Sequence, residues 1–413
     1  MRENVFNQIN TLKKIGESIQ SHSRLCIRGA HIGEKVLGLY MANRAICVCS
    51  DVVTQSALKH GLEALNKKVS TLSYGMTAPI FSHVQENGDM QSFISAILDF
   101  ALGKVDYLLI LGETLLQRLP NDLASHYFSL KEKQSISLET LSKKLVTLGY
   151  KRQNMVSAKG DFAIRGDIVD IFLVNEDLPI RIDFFGDDIE RIYSFDVDTT
   201  KFIEQKESVD IYPATIYFLE NKNIFEKLND EIKKIKINEN NYSKINDIIS
   251  HYSLCFSAQN LGCGDSFILP FFEFENNIIS LFSNDNIFID EPKKINDELN
   301  ILKQQNLMSI NKMIDANELL NIHKKFYYDI ENIKLNSCVF FDNFSANNIV
   351  FDEEIDIRTI GTRKYVFDYR ALVSDINIYL SSSYRVFLFC GSKSNAQNIE
   401  KFLLSNNLSY STD

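Results

Sequence analysis

Between Phe162 and Phe195 the apolar residues recur with a period of two, in runs too short and too closely linked to leave much choice of topology. Phe162-Ala-Ile-Arg165, Ile168-Val-Asp-Ile-Phe172, Ile180-Arg-Ile-Asp-Phe-Phe185 and Ile189-Glu-Arg-Ile-Tyr-Ser-Phe195 read as strands. They are separated by Gly-Asp, Asn-Glu-Asp-Leu-Pro and Gly-Asp-Asp, all good turn formers. A parallel crossover needs roughly a dozen residues or more, so these four strands form an antiparallel meander. Just upstream, Ser137-Leu-Glu-Thr opens a helix. Serine is the N-cap, Glu139 lies in the first turn, Leu138, Leu141, Leu145 and Leu148 recur at helical spacing, and Gly149 is the stop. One helix and a meander make a small α+β domain over 129–205.

The flanking sequence has a different texture. Residues 1–128 alternate helical runs (the opening one from Phe6 to about Ile19) with apolar runs at Arg24–Arg28, Ala45–Ser50 and Val69–Leu72. The run DMQSFISAILDFALGK then feeds VDYLLILG, the pattern of a parallel sheet covered by helices on both faces. Residues 206–345 return to mixed α/β character. There NKNIFEKLNDEIKKIKINENNYSKINDIIS keeps an apolar helical rhythm, and Asn286-Ile-Phe-Ile-Asp290 forms a strand that Glu291-Pro292 closes. If both stretches build one sheet, the α+β domain is an insertion into it. Residues 346–413 hold a linker and the start of a further α/β domain, with Tyr384–Cys390 as strand, Gly391-Ser-Lys-Ser as turn and Asn395–Leu404 as helix, which suggests a break inside or just after a domain. Several domains are expected at 413 residues, because single cores stop growing beyond about 250–300 residues.

Charge and cysteine usage narrow the function classes. With 44 Lys plus Arg against 54 Asp plus Glu, the net charge of -10 repels a polyphosphate at long range, so nucleic acid is not the default partner. A local patch of Lys151, Arg152, Lys159 and Arg165 keeps DNA binding open. The opening MRENVFNQINTLKKIG does not read as a signal peptide, and no run approaches the length of a spanning helix, so a cytoplasmic protein away from membranes is expected. Cys47 and Cys49 fall on one face of a strand, but no second pair of ligands lies nearby to complete a zinc site. The seven histidines never take H-x-x-H or H-E-x-x-H spacing.

Two stretches resemble nucleotide chemistry and fall short of it. In Gly29-Ala-His-Ile-Gly33-Glu-Lys35 only three residues separate the glycines, a Glu sits where phosphate would lie, and Val36 replaces the magnesium-holding hydroxyl. Asp290-Glu291 at a strand end has no phosphate loop to serve. The plainer readings are an ordinary strand-to-helix turn for the first and a vestige or a surface turn for the second. The meander is more informative. Arg165, Arg181 and Arg191 occupy a sheet otherwise built to bury Ile and Phe, and arginine beside an aromatic is the composition of an interface hot spot. Phe184 and Phe185 are adjacent in one strand and must point opposite ways, so one of them is exposed or covered by another element.

From Leu148-Gly-Tyr-Lys-Arg152 through GDFAIRGDIVDIF (160–172) and LPIRIDFFGDDIERIYSFD (178–196) to Ile211-Tyr-Pro-Ala, the chain closely resembles the signature shared by the excision-repair helicase UvrB and the bacterial transcription-repair coupling factors, the Mfd family. The degenerate turn at Gly29–Lys35 and the lack of a tyrosine-rich hairpin after Leu72–Pro79 favour the coupling factors over UvrB. The resemblance implies a degenerate helicase-like parallel sheet (1–128 and 206–345) interrupted by a UvrA-binding α+β domain (129–205). It implies docking on UvrA through Arg152, Arg165, Phe172 and Arg181, with no catalysis, cofactor or metal in these residues. In the whole family protein a separate motor uses ATP and magnesium, RNA polymerase and double-stranded DNA are further partners, and a distant C-terminal domain masks the UvrA-binding face. The alternative is a UvrB-like, ATP-dependent repair helicase subunit.

Overall fold

The computed structural model describes residues 10–411, apart from 22–23, 73–86, 218–223, 235–241, 258–262, 273, 330, 332, 334–337, 344–348, 358–364, 366–367, 389 and 391. The start of the opening helix at Phe6, most of the stretch expected to lack a hairpin after Leu72, and the glycine of the turn at 391 lie outside the described residues.

The first unit follows the continuous apolar runs. In chain order it contains α1 (Asn10–Ser21), β1 (Arg24–Arg28), α2 (Ile32–Met41), β2 (Ala45–Cys49), α3 (Val52–Ala64), β3 (Val69–Leu72), α4 (Asn87–Ala101) and β4 (Tyr107–Leu111). Strands from far downstream complete its sheet: β13 (Asn286–Asp290), β14 (Cys338–Phe341) and β15 (Glu353–Asp356), with the long helix α9 (Pro292–Asp315) after β13. The seven strands run in the order β15-β1-β14-β13-β2-β4-β3, and every pairing is parallel. Alternation along each strand divides the core in two. Ile46, Val48, Leu108, Ile110, Ile287 and Ile289 pack on one face with Phe93, Ile97 and Phe100 of α4. Ala45, Cys47, Cys49, Leu109, Phe288 and Phe341 pack on the other with Ile15 of α1, Leu39 of α2 and Leu62 of α3.

A second unit interrupts that sheet between β4 and β13. The chain enters on β5 (Phe128–Lys131) and leaves on β12 (Ser208–Ile211), and these two pair antiparallel, Phe128 opposite Ile211. Between them lie α5 (Leu138–Thr147), β6 (Lys151–Arg152), β7 (Asp161–Arg165), β8 (Ile168–Ile171), β9 (Ile180–Phe185), β10 (Asp188–Phe195) and β11 (Phe202–Lys206). The last six make one sheet, β11-β10-β9-β8-β7-β6. Strands β7 to β11 are antiparallel, as the brief turns require. The two-residue β6 instead runs parallel to β7, although only residues 153–160 connect them. A loop can return the chain that quickly when the strand is this short.

Ser137 caps α5 by accepting from the Thr140 N–H at 3.2 Å, and Gly149 ends it at φ +85. Leu141, Leu145 and Leu148 cover Phe162, Val169, Ile171, Ile180, Ile182 and Ile192. That apolar cluster is continuous with the α4 side of the parallel sheet, so the inserted unit shares a core with its host. Polar links reinforce the junction: Tyr212 donates its hydroxyl to Asp99 at 2.8 Å, and Gln91 donates to the Lys159 carbonyl at 3.0 Å.

The asparagine- and lysine-rich stretch forms α6 (Ile224–Lys233) and α7 (Tyr242–Ser257), as its rhythm predicts, and the short α8 (Ile278–Leu281) follows. Two expectations for the C-terminal part are corrected. The parallel sheet does not end before 346, because β15 pairs with β1 from Leu25↔Glu353 to Arg28↔Asp356. The described residues of Tyr384–Cys390 form no strand: they lie between α10 (Tyr369–Ser381) and α11 (Lys393–Ser405) with Tyr384, Phe387 and Leu388 exposed. An apolar alternating run becomes a strand only when an edge is available to take its N–H and C=O groups. Among the described residues no helix is long and apolar enough to cross a membrane.

Candidate functional site: an arginine face on the inserted sheet

The degenerate turn near the N-terminus is filled by the protein's own groups. Gly29 follows β1 at φ +71, and a Cβ there would lie 2.6 Å from the Ile357 carbonyl oxygen, so the turn needs glycine. Glu34 accepts from the His31 N–H at 3.0 Å. Lys35, buried on α2, places its ammonium 2.5 Å from Asp290 and 3.8 Å from Glu291. Asp290 has no exposed surface and also accepts from the Ser50 N–H at 3.2 Å. Asn343 accepts from the Gly29 N–H and donates to Glu291, and burial raises the Glu291 carboxyl above its ordinary range. Here the lysine charge is neutralised and backbone donors of the turn are engaged. A polyphosphate arriving here would have to break the Lys35–Asp290 pair.

The second candidate lies on the face of the six-stranded sheet that α5 does not cover. Strand alternation turns Phe162, Val169, Ile171, Ile180 and Ile182 inward and leaves Ala163, Arg165, Asp170, Arg181 and Tyr193 on the outer side. Register then sets Ala163, Asp170, Arg181 and Tyr193 in one row across β7 to β10. Asp170, buried, is the centre of the row. Arg181 grips it with two parallel hydrogen bonds, Nε to Oδ1 at 2.6 Å and Nη2 to Oδ2 at 2.9 Å, and the diagonal Arg165 also donates to Oδ2. The Asp170 hydrogen bond raises the Arg181 guanidinium above its ordinary value. That guanidinium lies 4.6 Å from the centre of the Phe195 ring, a cation–π arrangement. Arg191, two residues before Tyr193, is paired with Asp183 at 2.6 Å.

Three of the four expected docking residues thus share this face. Arg165 is the accessible arginine, with 45% of its side chain exposed against 14% for Arg181. Phe172 is half-buried against Val156, Ala163 and Phe195. Arg152 is exposed on the edge strand β6, and its register partner is Phe162, one of the inward residues. Among the described residues no hydrogen bond or ion pair joins Arg152 to the other three. The Phe184–Phe185 alternative resolves cleanly: Phe184 is in the core, whereas Phe185 is 76% exposed beside the Gly186 turn of the β9–β10 hairpin. Asp170 escaped the reading of the sequence. The one available signal was parity, since Asp170 and Arg181 each alternate away from the inward isoleucines.

The family model for the UvrB interaction domain matches residues 128–217. These residues run from β5 past β12, and so take in the whole inserted unit with its arginine face. Over these residues the chain is similar to the UvrB interaction domain. Longer stretches of the chain are similar to coupling factors. It is 27% identical over 296 residues to the transcription-repair-coupling factor of Staphylococcus aureus strain USA300, covering 68% of this chain and 25% of the relative. It is 30% identical over 151 residues to that of Escherichia coli K12, covering 36% of this chain and 13% of the relative. UvrABC system protein B of Lactobacillus johnsonii is 39% identical, but over only 115 residues, 28% of this chain and 17% of the relative. The matched parts of this chain span a quarter or less of each of these curated relatives. The resemblance read from the sequence, a UvrB-like module of the coupling-factor kind, is borne out: the Lactobacillus johnsonii match takes in 28% of this chain, whereas the Staphylococcus aureus coupling factor matches 68% of it.

Proposed function

We propose that this chain is the UvrA-recruiting module of a transcription-repair coupling factor, linking stalled RNA polymerase to nucleotide excision repair, and that it catalyses nothing itself. One observation carries the reading: within the UvrB interaction domain, Arg165 and Arg181 converge on the outer sheet face beside aromatic residues. Guanidinium groups on a firm sheet, next to rings, can recognise carboxylates and an apolar pocket on a partner protein. Arg165 supplies the accessible charge, Phe185 an exposed ring, and Arg152 and Phe172 the flanks. On this reading RNA polymerase, double-stranded DNA, ATP and magnesium belong to parts of the coupling factor outside these residues, and the chain acts in the cytoplasm. Titration of the full chain against purified UvrA tests it. Arg165→Ala and Arg181→Ala should each weaken binding by about 2 kcal/mol or more. Unchanged affinity in both would end the assignment.

The competing reading, an ATP-dependent subunit of the UvrB kind, is disfavoured by the engaged lysine. Lys35 spends its charge on Asp290. Saturable ATP binding at millimolar nucleotide would reverse this judgement.

A further inference from the structure

We infer that Asp170 is a positioning residue for partner recognition: by holding Arg165 and Arg181 from beneath, it fixes the guanidinium groups in the geometry a partner carboxylate meets. This rests on the recruitment reading above and adds to it the residue that sets the site's geometry.

Asp170 is acidic, buried and central on a face expected to attract acids, so simple charge counting makes it a defect. The geometry gives it a different role. Two guanidinium groups side by side repel one another, and a carboxylate bonded to both offsets that repulsion. Each arginine also has considerable side-chain entropy when free. Arg181 has little of that left: its fork is bonded at two nitrogens and packed by Phe195. Arg165 is held at Nη2 yet keeps 45% of its side chain exposed. Arg181 is therefore chiefly a strut, and Arg165 the contact it helps to steady. Ala163 completes the arrangement, since its small side chain is the register partner of Asp170 on the Arg165 side.

The sign of one substitution separates positioning from charge. Asp170→Asn keeps the shape, leaves one acceptor oxygen and makes the face more positive. If the arginines act only as a charged surface, association with an acidic site speeds up and affinity rises. If Asp170 positions them, dissociation from UvrA accelerates by about tenfold despite the added positive charge. Arg181→Lys, which keeps the charge but lacks the fork, should raise the dissociation rate in the same direction. A merely structural lesion would lower the fraction of active molecules and leave the dissociation rate of the remainder untouched.

A second measurement needs no partner. The Arg181 Nε–H resonance of the full chain should be sharp and protected from exchange in the wild type, and lost in Asp170→Asn. Should Asp170→Asn fail to fold, Arg181→Lys alone decides. Wild-type dissociation rates in Arg181→Lys, or in both variants, would overturn the inference while leaving recruitment intact if Arg165→Ala still weakens binding. No binding by the wild-type chain would overturn the recruitment reading and this inference together, whatever the resonance shows.

Discussion

Replacing Lys35 with methionine should destabilise the parallel-sheet unit. The side chain of Lys35 is 8% exposed and that of Asp290 fully buried, with nitrogen and oxygen 2.5 Å apart. In Lys35→Met the Asp290 carboxylate keeps one long hydrogen bond from the Ser50 N–H and has Glu291 as a like-charged neighbour. Removing one partner of a buried pair typically costs about 3–5 kcal/mol, because the other charge stays desolvated. The reciprocal change should cost less. In Asp290→Asn the lysine still has Glu291 at 3.8 Å, and the amide oxygen can accept from it. The double variant Lys35→Met/Asp290→Leu, which replaces the pair with apolar groups, should recover most of the loss. Urea unfolding followed by far-ultraviolet circular dichroism is the assay, since the chain has no tryptophan. With a urea slope of about 2–3 kcal/mol per molar, Lys35→Met should lower the midpoint by on the order of 1 M. An unmoved midpoint, or a larger loss in Asp290→Asn than in Lys35→Met, would refute the account of this pair.

Three further outcomes follow from the structure. Gly149→Ala should cost roughly 2 kcal/mol in chemical denaturation, because φ is +85 and the new Cβ would lie 2.4 Å from the Thr215 methyl carbon; a neutral result would show that the turn can relax. Phe185→Ala should leave the unfolding midpoint within about 0.5 kcal/mol of wild type while weakening UvrA binding, and a large stability loss would mean the ring is covered. Burial of His323 lowers its pKa from 6.5 to about 4, so the unfolded chain takes up the proton first. The stability this neutral ring contributes is complete above pH 6.5 and shrinks by about 2–3 kcal/mol as the pH falls towards 4.5. His323→Gln should flatten that acid limb, and an equally steep limb in the variant would remove His323 as its source.

Much of this was legible in the sequence because it depends on near neighbours. The period of two and the Gly-Asp turns determined that Phe162–Phe195 is an antiparallel meander. Ser137 and Gly149 bounded α5, and apolar runs marked five of the seven strands of the parallel sheet, β1 to β4 and β13, but not β14 or β15. The deficient turn at Gly29–Lys35 was a matter of counting residues. Adjacency alone required Phe184 and Phe185 to point apart.

Which way they point was decided only by the tertiary structure, since nothing local distinguishes the two faces until α5 docks on one. The remaining surprises share that cause. Lys35 meets Asp290 across 255 positions. Arg165 and Arg181 meet at Asp170 only because the register of β7, β8 and β9 aligns them. β15 found an open edge on β1, whereas Tyr384–Leu388, with equally strand-like residues, has no strand beside it among the described residues. Periodicity determines what a segment can be. Which charges become partners, and which rings stay in water, is set when distant segments close against one another and the burial of one face leaves the other for recognition.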